Sequence, residues 1–158
     1  MVKLIFLDFD GVITTGKSKW NIDSKKCELI KNLCDETGAK IVLSTSWRRT
    51  TLEETFKKEK LDGWILKDYC EGVTERLYFP IEAETKLFVP RRGMEIEKYI
   101  LDHYADEKIN YVIFDDDVFD LLYMQRDNIV QTHWNYGVNK NNIKKALKIL
   151  NKEDGQGR

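Results

Sequence analysis

Val2-Lys3-Leu4-Ile5-Phe6-Leu7-Asp8-Phe9-Asp10-Gly11-Val12 decides how the rest of the chain is read. Leu4 to Leu7 are apolar without polar alternation, the pattern of a central strand covered on both faces. Side chains two apart on an extended backbone point the same way, so Asp8 and Asp10 are expected to share one crevice at the strand's carboxyl end. Gly11 then permits a sharp turn and brings bare backbone close to whatever the carboxylates bind. Two uncompensated carboxylates at the mouth of an apolar sheet repel each other and resist desolvation. A positive group, most simply a divalent cation, is expected between them.

The 158 residues suffice for one domain, which buries roughly two-thirds of its unfolded surface. The 26 basic and 27 acidic side chains do not advertise a polyanion partner through global charge. No apolar stretch approaches the roughly 20 residues needed to cross a bilayer, so no membrane partner is expected. The first apolar run has no basic leader and ends in acids, unlike a signal peptide. Cys27 and Cys34 fall on one helical face about 10 Å apart in rise, too far for a disulfide. With Cys70 the number is odd, which predicts free thiols and a reducing, cytoplasmic setting.

Outward from the first strand, the chain alternates strand and helix. Asp23 or Ser24 can cap a helix whose stripe is Cys27, Ile30, Leu33 and Cys34, with Gly38 ending it. Lys40 to Ser44 reads as a second buried strand, and Thr50 or Thr51 starts a charged, solvated helix running to about Lys60. Trp64-Ile65-Leu66 reads as a short third strand near an edge. Residues 69–90 carry no strong period and include both prolines, so a small insertion or hairpin is expected there. A helix is predicted over Gly93 to Tyr104, a buried strand over Tyr111 to Phe114, then a short helix. Ile129 to Thr132 forms a fifth strand, and Asn139 or Asn142 begins a last helix ending at Leu150. One domain over 1–150 and a polar, flexible tail over 151–158 complete the expectation. This alternation predicts an α/β fold, a parallel, doubly wound sheet with ligands beyond the strands' carboxyl ends.

Three strand ends deliver polar residues to that edge: Asp8 and Asp10; Ser44-Thr45-Ser46 followed by Trp47-Arg48-Arg49; and Asp115-Asp116-Asp117, with Asp120 one turn later. Arg91 and Arg92 stand at a helix start, where free amides favour an anion. Asp8-Phe9-Asp10-Gly11-Val12 resembles the first motif of the haloacid dehalogenase (HAD) superfamily of phosphohydrolases. Leu43-Ser44-Thr45-Ser46 is similar to its second motif, and Ile113-Phe114-Asp115-Asp116 to its fourth. Arg92-Gly93-Met94-Glu95-Ile96, with Ser46-Trp47-Arg48 and Val130-Gln131-Thr132, further resembles small HAD domains associated with RNA-repair proteins. The fold this implies is a three-layer Rossmannoid domain with a minimal cap or none.

The resemblance also implies roles. Asp8 would be the nucleophile that forms an aspartyl-phosphate, and Asp10 the general acid and then base. Thr45 would hold a phosphoryl oxygen and Arg92 would neutralise the transferring group, with Gly11, Ser46 and Arg48 lining the substrate. Mg²⁺ would be held by Asp8, the Asp10 carbonyl, and Asp115 or Asp116, the latter favoured as direct ligand. The third-motif residue is commonly lysine; here Arg91 and Arg92 compete for it, Arg92 being favoured and Lys86 a distant third. Asp117 and Asp120 are read as supporting groups or a helix cap. Arg48 and Arg49 are read first as a solvated helix start and second as a substrate clamp. Trp20 and Trp134 fall in loops that border the mouth, where packing competes with stacking on a base.

The implied activity is Mg²⁺-dependent phosphomonoester hydrolysis in an open site, with a nucleic-acid end, above all an RNA terminal phosphate, or a nucleotide as substrate. The alternative is a non-catalytic phosphate- or RNA-binding module that keeps the fold. Retention of an acid at Asp10, which binding alone does not need, argues against that alternative.

Overall fold

Leu4, Ile5, Phe6 and Leu7 are fully buried, as a strand covered on both faces must be. They belong to β1 (Val2–Leu7), the middle strand of a five-stranded sheet in the computed structural model, which describes residues 1–153. The other strands are β2 (Lys40–Leu43), β3 (Cys70–Val73), β4 (Ile109–Asp115) and β5 (Ile129–Gln131). Their order is β3-β2-β1-β4-β5 and every pairing is parallel. The chain leaves β1 toward one edge and later returns to pair β4 on its other side. That reversal places a crevice at the carboxyl end of β1.

The helices α1 (Ser24–Thr37), α2 (Leu52–Lys58), α3 (Pro80–Thr85) and α4 (Arg91–Tyr104) lie in the crossovers up to β4, and α5 (Lys140–Leu150) follows the last strand. Alternate strand residues serve opposite layers. Ile5, Leu7, Ile41, Leu43, Val112 and Phe114 pack with the α1 and α5 stripes, whereas Leu4, Phe6, Val42, Tyr111 and Ile113 pack with Ile96, Tyr99 and Ile100 of α4. Each such fully buried aliphatic or aromatic side chain contributes about 1.5–3 kcal/mol.

The helix ends follow local chemistry. The Asp23 carboxylate accepts from the Lys25 amide, and Gly38 ends α1 in the left-handed region at φ 73°. Thr51 caps α2, and Asn139 and Asn142 bond reciprocally at the start of α5. Cys27, Cys34 and Cys70 are free, and burial pushes their thiols up to about 11, about 12 and about 12.

The structure corrects the middle of the chain. Trp64 to Leu66 is a turn, closed by Trp64 N–H to Leu61 O and Lys67 N–H to Trp64 O, and not the third strand. Trp64 rests edge-on against Phe9 and Leu66 is fully buried while Ile65 is exposed, so the turn imitates the alternation of a strand. The third strand is Cys70–Val73, inside the segment expected to be a hairpin, and α3 occupies Pro80–Thr85 with proline in its first turn. The short helix expected after Asp117 is a 3₁₀ segment at Tyr123–Asn128. At the tail, Asn151 accepts from Lys3 Nζ at 2.8 Å and the Lys152 carbonyl accepts from Asn110 Nδ2 at 2.8 Å, so the first tail residues are tied down. The rest of that expectation, residues 154–158, lies outside the described residues.

Candidate active site

Leu7 faces Leu43 of β2 and Phe114 of β4. The next rung therefore holds Asp8, Ser44 and Asp115 side by side, with Asp8 N–H bonded to Phe114 O and Ser44 N–H to Leu7 O, both at 3.1 Å. Two residues earlier, Phe6, Val42 and Ile113 face α4, so this rung also faces α4. There the Arg92 guanidinium lies 3.1 Å from Asp8 Oδ2 and is hydrogen-bonded to Asp115 Oδ2. Asp8 Oδ1 accepts from the Phe9 amide at 2.8 Å, and Asp115 Oδ1 accepts from the Asp117 amide at 3.0 Å. Asp116 completes a cluster in which one carboxylate oxygen each from Asp8, Asp115 and Asp116 lies within 4.8 Å of the others.

Gly11 makes this approach feasible. Its φ is 80°, and a Cβ there would stand 2.2 Å from Asp116 Cγ. The bare backbone that the sequence reserved for a ligand thus first makes room for a carboxylate. Thr132 Oγ1 donates to Gly11 O at 2.6 Å and fixes the loop from the β5 side.

Electrostatically the cluster is short of positive charge. Burial raises Asp8 above the ordinary carboxylate range, although Arg92 pulls it back. Burial and then the charge on Asp8 push Asp115 up to about 8, again against Arg92. Burial works against the charged form of Arg92, but Asp8 and Asp115 outweigh it and raise the guanidinium further. Three carboxylates with one guanidinium leave a negative, oxygen-only donor set. That set fits a hard divalent cation, which would replace the retained proton.

Asp10 is held apart from the cluster. Its carboxylate accepts from Trp47 Nε1 at 3.2 and 3.3 Å and from Thr14 Oγ1 at 2.7 Å. Trp47 is itself braced edge-on against buried Phe9. Neutral donors on a rigid support thus fix the orientation of a partly exposed acid two residues beyond a buried one.

The remaining expected site residues scatter. Thr45 is buried, and its Oγ1 accepts from the Trp47 amide at 3.2 Å. Ser44 Oγ, on the Asp8 rung, is buried without a hydrogen-bond partner among the described residues. Ser46 is exposed at the mouth, its carbonyl accepting from Arg76 at 2.7 Å. Arg48 is neither a solvated helix start nor a projecting clamp. It is 4 % exposed, donates to Thr74 O and Thr45 O at 2.8 Å each, and pairs with Glu95 of α4. Burial lowers Arg48 to about 10 and raises Glu95, so desolvation outweighs their mutual attraction in both. Arg91 turns away to Glu82, which leaves Arg92 as the arginine at the acids. Lys86 is exposed, ending α3 at φ 56°, and is not among the groups at the cluster. Asp117 caps the turn by accepting from the Phe119 amide, and Asp120 O accepts from Gly93 N–H at the start of α4.

Three residues have a part in the site that the sequence reading did not assign. Trp47 and Thr14 carry the orientation of Asp10, and Ser44 carries the unpaired hydroxyl beside Asp8. For Ser44 the deciding fact is the pairing of Leu7 with Leu43, which puts Ser44 rather than Thr45 on the Asp8 rung and which the sequence alone does not fix.

The sequence profile of the HAD domain in Swiss Army Knife RNA repair proteins matches residues 4–143. The chain belongs to this family. Its match begins inside β1 and runs into α5, so β2 to β5, most of β1 and every acid of the cluster of this HAD domain lie within it. Comparison with curated proteins and with solved structures finds no match.

Proposed function

We propose that this HAD domain is a Mg²⁺-dependent phosphomonoester hydrolase that works through an aspartyl-phosphate on Asp8. The observation that carries the reading is the division of labour between Asp8, packed with Asp115, Asp116 and Arg92, and Asp10, aimed separately by Trp47 and Thr14. A binding module needs the first group but gains nothing from the second.

Asp8 attacks phosphorus and forms the new P–O bond as the bond to the leaving oxygen breaks. Asp10 gives its proton to that leaving oxygen, then takes one from the water that attacks phosphorus and frees Asp8. Arg92 balances charge on the phosphoryl oxygens, and a hydroxyl at the end of β2 holds one of them. Thr45 is the residue expected from sequence; the unpaired Oγ of Ser44 supports Ser44 as its rival. A divalent cation held by Asp8, Asp115 and Asp116, together with the Asp10 carbonyl, would offset the negative charge that the phosphate brings.

An RNA terminal phosphate is the proposed substrate. The family description places related domains in RNA repair proteins, and among the described residues no helix or strand is inserted between β1 and α1 or between β2 and α2. The experiment is phosphate release from para-nitrophenyl phosphate, mononucleotides and oligonucleotides bearing 3′ or 5′ phosphates, with Mg²⁺ or EDTA. Metal-dependent release that disappears in Asp10→Asn is expected, fastest on an oligonucleotide end. Release that persists in EDTA, or none from any substrate, would contradict the reading.

A further inference from the structure

Four aromatic rings crowd the surface beside the mouth. Trp20, Trp134 and Tyr136 are each about half exposed, and His133 is exposed with them. Trp20 and Trp134 lie nearly parallel, at 20° with centroids 6.4 Å apart; His133 stacks on Trp134 and tilts toward Tyr136. Single exposed rings are ordinary, but a contiguous group of them marks a contact surface.

The rings are held in place and close to the site. They stand on the loops that follow β1 and β5, both at the carboxyl edge of the sheet. Gly16 N–H bonds to Trp134 O, Trp20 N–H bonds to Thr15 O, and Thr14 bonds to Asp10. By covalent geometry the Trp20 backbone is within roughly 15 Å of the Asp10 carboxylate, a span of a few nucleotides. Lys19 and Trp20 both adopt positive φ, 54° and 61°, conformations that bulky residues rarely take. Ser18 and Thr15 lock that turn through reciprocal bonds of 3.0 Å, and a Cβ at Gly16 would stand 2.6 Å from the Trp134 ring. The loop is built to present Trp20 rather than to bury it.

The adjoining cleft, ≈ 730 Å³, is bordered by Tyr136 and by Lys17, Lys25 and Lys140. These lysines are exposed and enter no ion pair among the described residues. Lys26 lines the cleft as well, so four lysines face two acids, Asp23, which caps α1, and Glu28. Apolar faces with cations beside them complement a strand that carries bases and phosphates together.

We propose that Trp20, Trp134, His133 and Tyr136 form a stacking platform for the bases of a single-stranded nucleic acid whose terminal phosphate enters the site, with Lys17, Lys25 and Lys140 along its backbone. The inference rests on the proposed hydrolysis of a nucleic-acid end and adds where the rest of the strand lies.

The test is binding of a dye-labelled, unphosphorylated RNA octamer, followed by anisotropy in Mg²⁺ at two salt concentrations. Trp134→Ala and Trp20→Ala are each expected to weaken binding between about fivefold and a hundredfold. Trp134→Phe, which keeps a ring face and guards against a folding defect, should retain most of it. Lys17→Ala with Lys140→Ala should flatten the salt dependence, and a duplex of the same sequence should bind more weakly than the single strand. Tryptophan variants within twofold of the unmodified protein, or equal binding of duplex and single strand, would overturn the platform. Turnover of para-nitrophenyl phosphate by the unmodified protein reads the hydrolase separately. Octamer binding that needs Trp134, without turnover, upholds the platform and retires the hydrolase. Turnover without octamer binding does the reverse.

Discussion

Arg48→Ala should destabilise the domain rather than merely weaken substrate binding. The substitution removes the donors to Thr74 O and Thr45 O and strands the Glu95 carboxylate, which is 5 % exposed. Breaking a buried pair from one side costs about 3–5 kcal/mol. For a domain of this size that corresponds to a fall of about 6–20 °C in melting temperature. The cost should depend on pH. Without Arg48 the strongest influence opposing the burial that already raises Glu95 is gone, and the Leu77 amide, Arg76 and Arg92 offset it only in smaller part, so its folded pKa rises further above the unfolded one. Such a group contributes stability at low pH that is lost as pH climbs through the folded value. The loss in Arg48→Ala should therefore be larger at about pH 8 than at about pH 5. Arg48→Met with Glu95→Leu should recover much of it, because no unpaired charge is left inside. Urea unfolding of the unmodified protein, the single variant and the double variant at both pH values is the assay. A single-variant loss below about 1 kcal/mol, the range of exposed pairs, or no pH dependence, would refute the buried pairing of β2's loop with α4.

Gly11→Ala should cost about 1–2 kcal/mol through positive φ alone, and it should also displace Asp116. Calorimetry of Mg²⁺ binding is then expected to show a loss of at least tenfold in affinity; unchanged affinity would mean that Asp116 is no ligand. With Asp8 and Asp115 both raised, the folded protein without metal holds a proton that the unfolded chain has lost, so its stability should fall from about pH 4 through about pH 8. Mg²⁺ should accordingly raise the melting temperature more at the alkaline end, and a metal effect independent of pH would contradict proton displacement. Ser44→Ala and Thr45→Val should separate the two hydroxyls: the one that holds the phosphate should lose 10-fold or more in kcat/KM, as one charge-stabilising contact does, and equal small losses would exclude both. Trp47→Phe keeps the packing on Phe9 but removes the donor to Asp10, so the pH–rate profile should change more than the melting temperature; the opposite outcome would make Trp47 a packing residue only.

The parts of the fold that were legible rest on local chemistry. β1, β2 and β4 announce themselves as unbroken apolar runs because both faces are buried, and α1 and α5 carry their caps in the sequence at Asp23, Gly38 and Asn139. Asp8, Asp115 and Asp116 were legible as a group because parallel strands bring their carboxyl ends to one edge. β3 was not, since Cys70-Glu71-Gly72-Val73 is a half-exposed edge strand whose Glu and Gly disfavour extended structure. Arg48 was misread because its burial depends on Glu95, a partner far away in the chain that no local pattern reveals. The choice between Ser44 and Thr45 turns on the register of β2 against β1, where one residue moves a side chain to the other face.

The central claim is a covalent phosphate on Asp8, and acid quenching of the protein during turnover of a phosphorylated oligonucleotide tests it most directly. Borohydride reduction of an aspartyl-phosphate yields homoserine, which mass spectrometry of the peptides can place. The account predicts homoserine at position 8, dependent on Mg²⁺ and on substrate. Turnover with Asp8 intact throughout, or with the modification on Asp10 or Asp115, would contradict it.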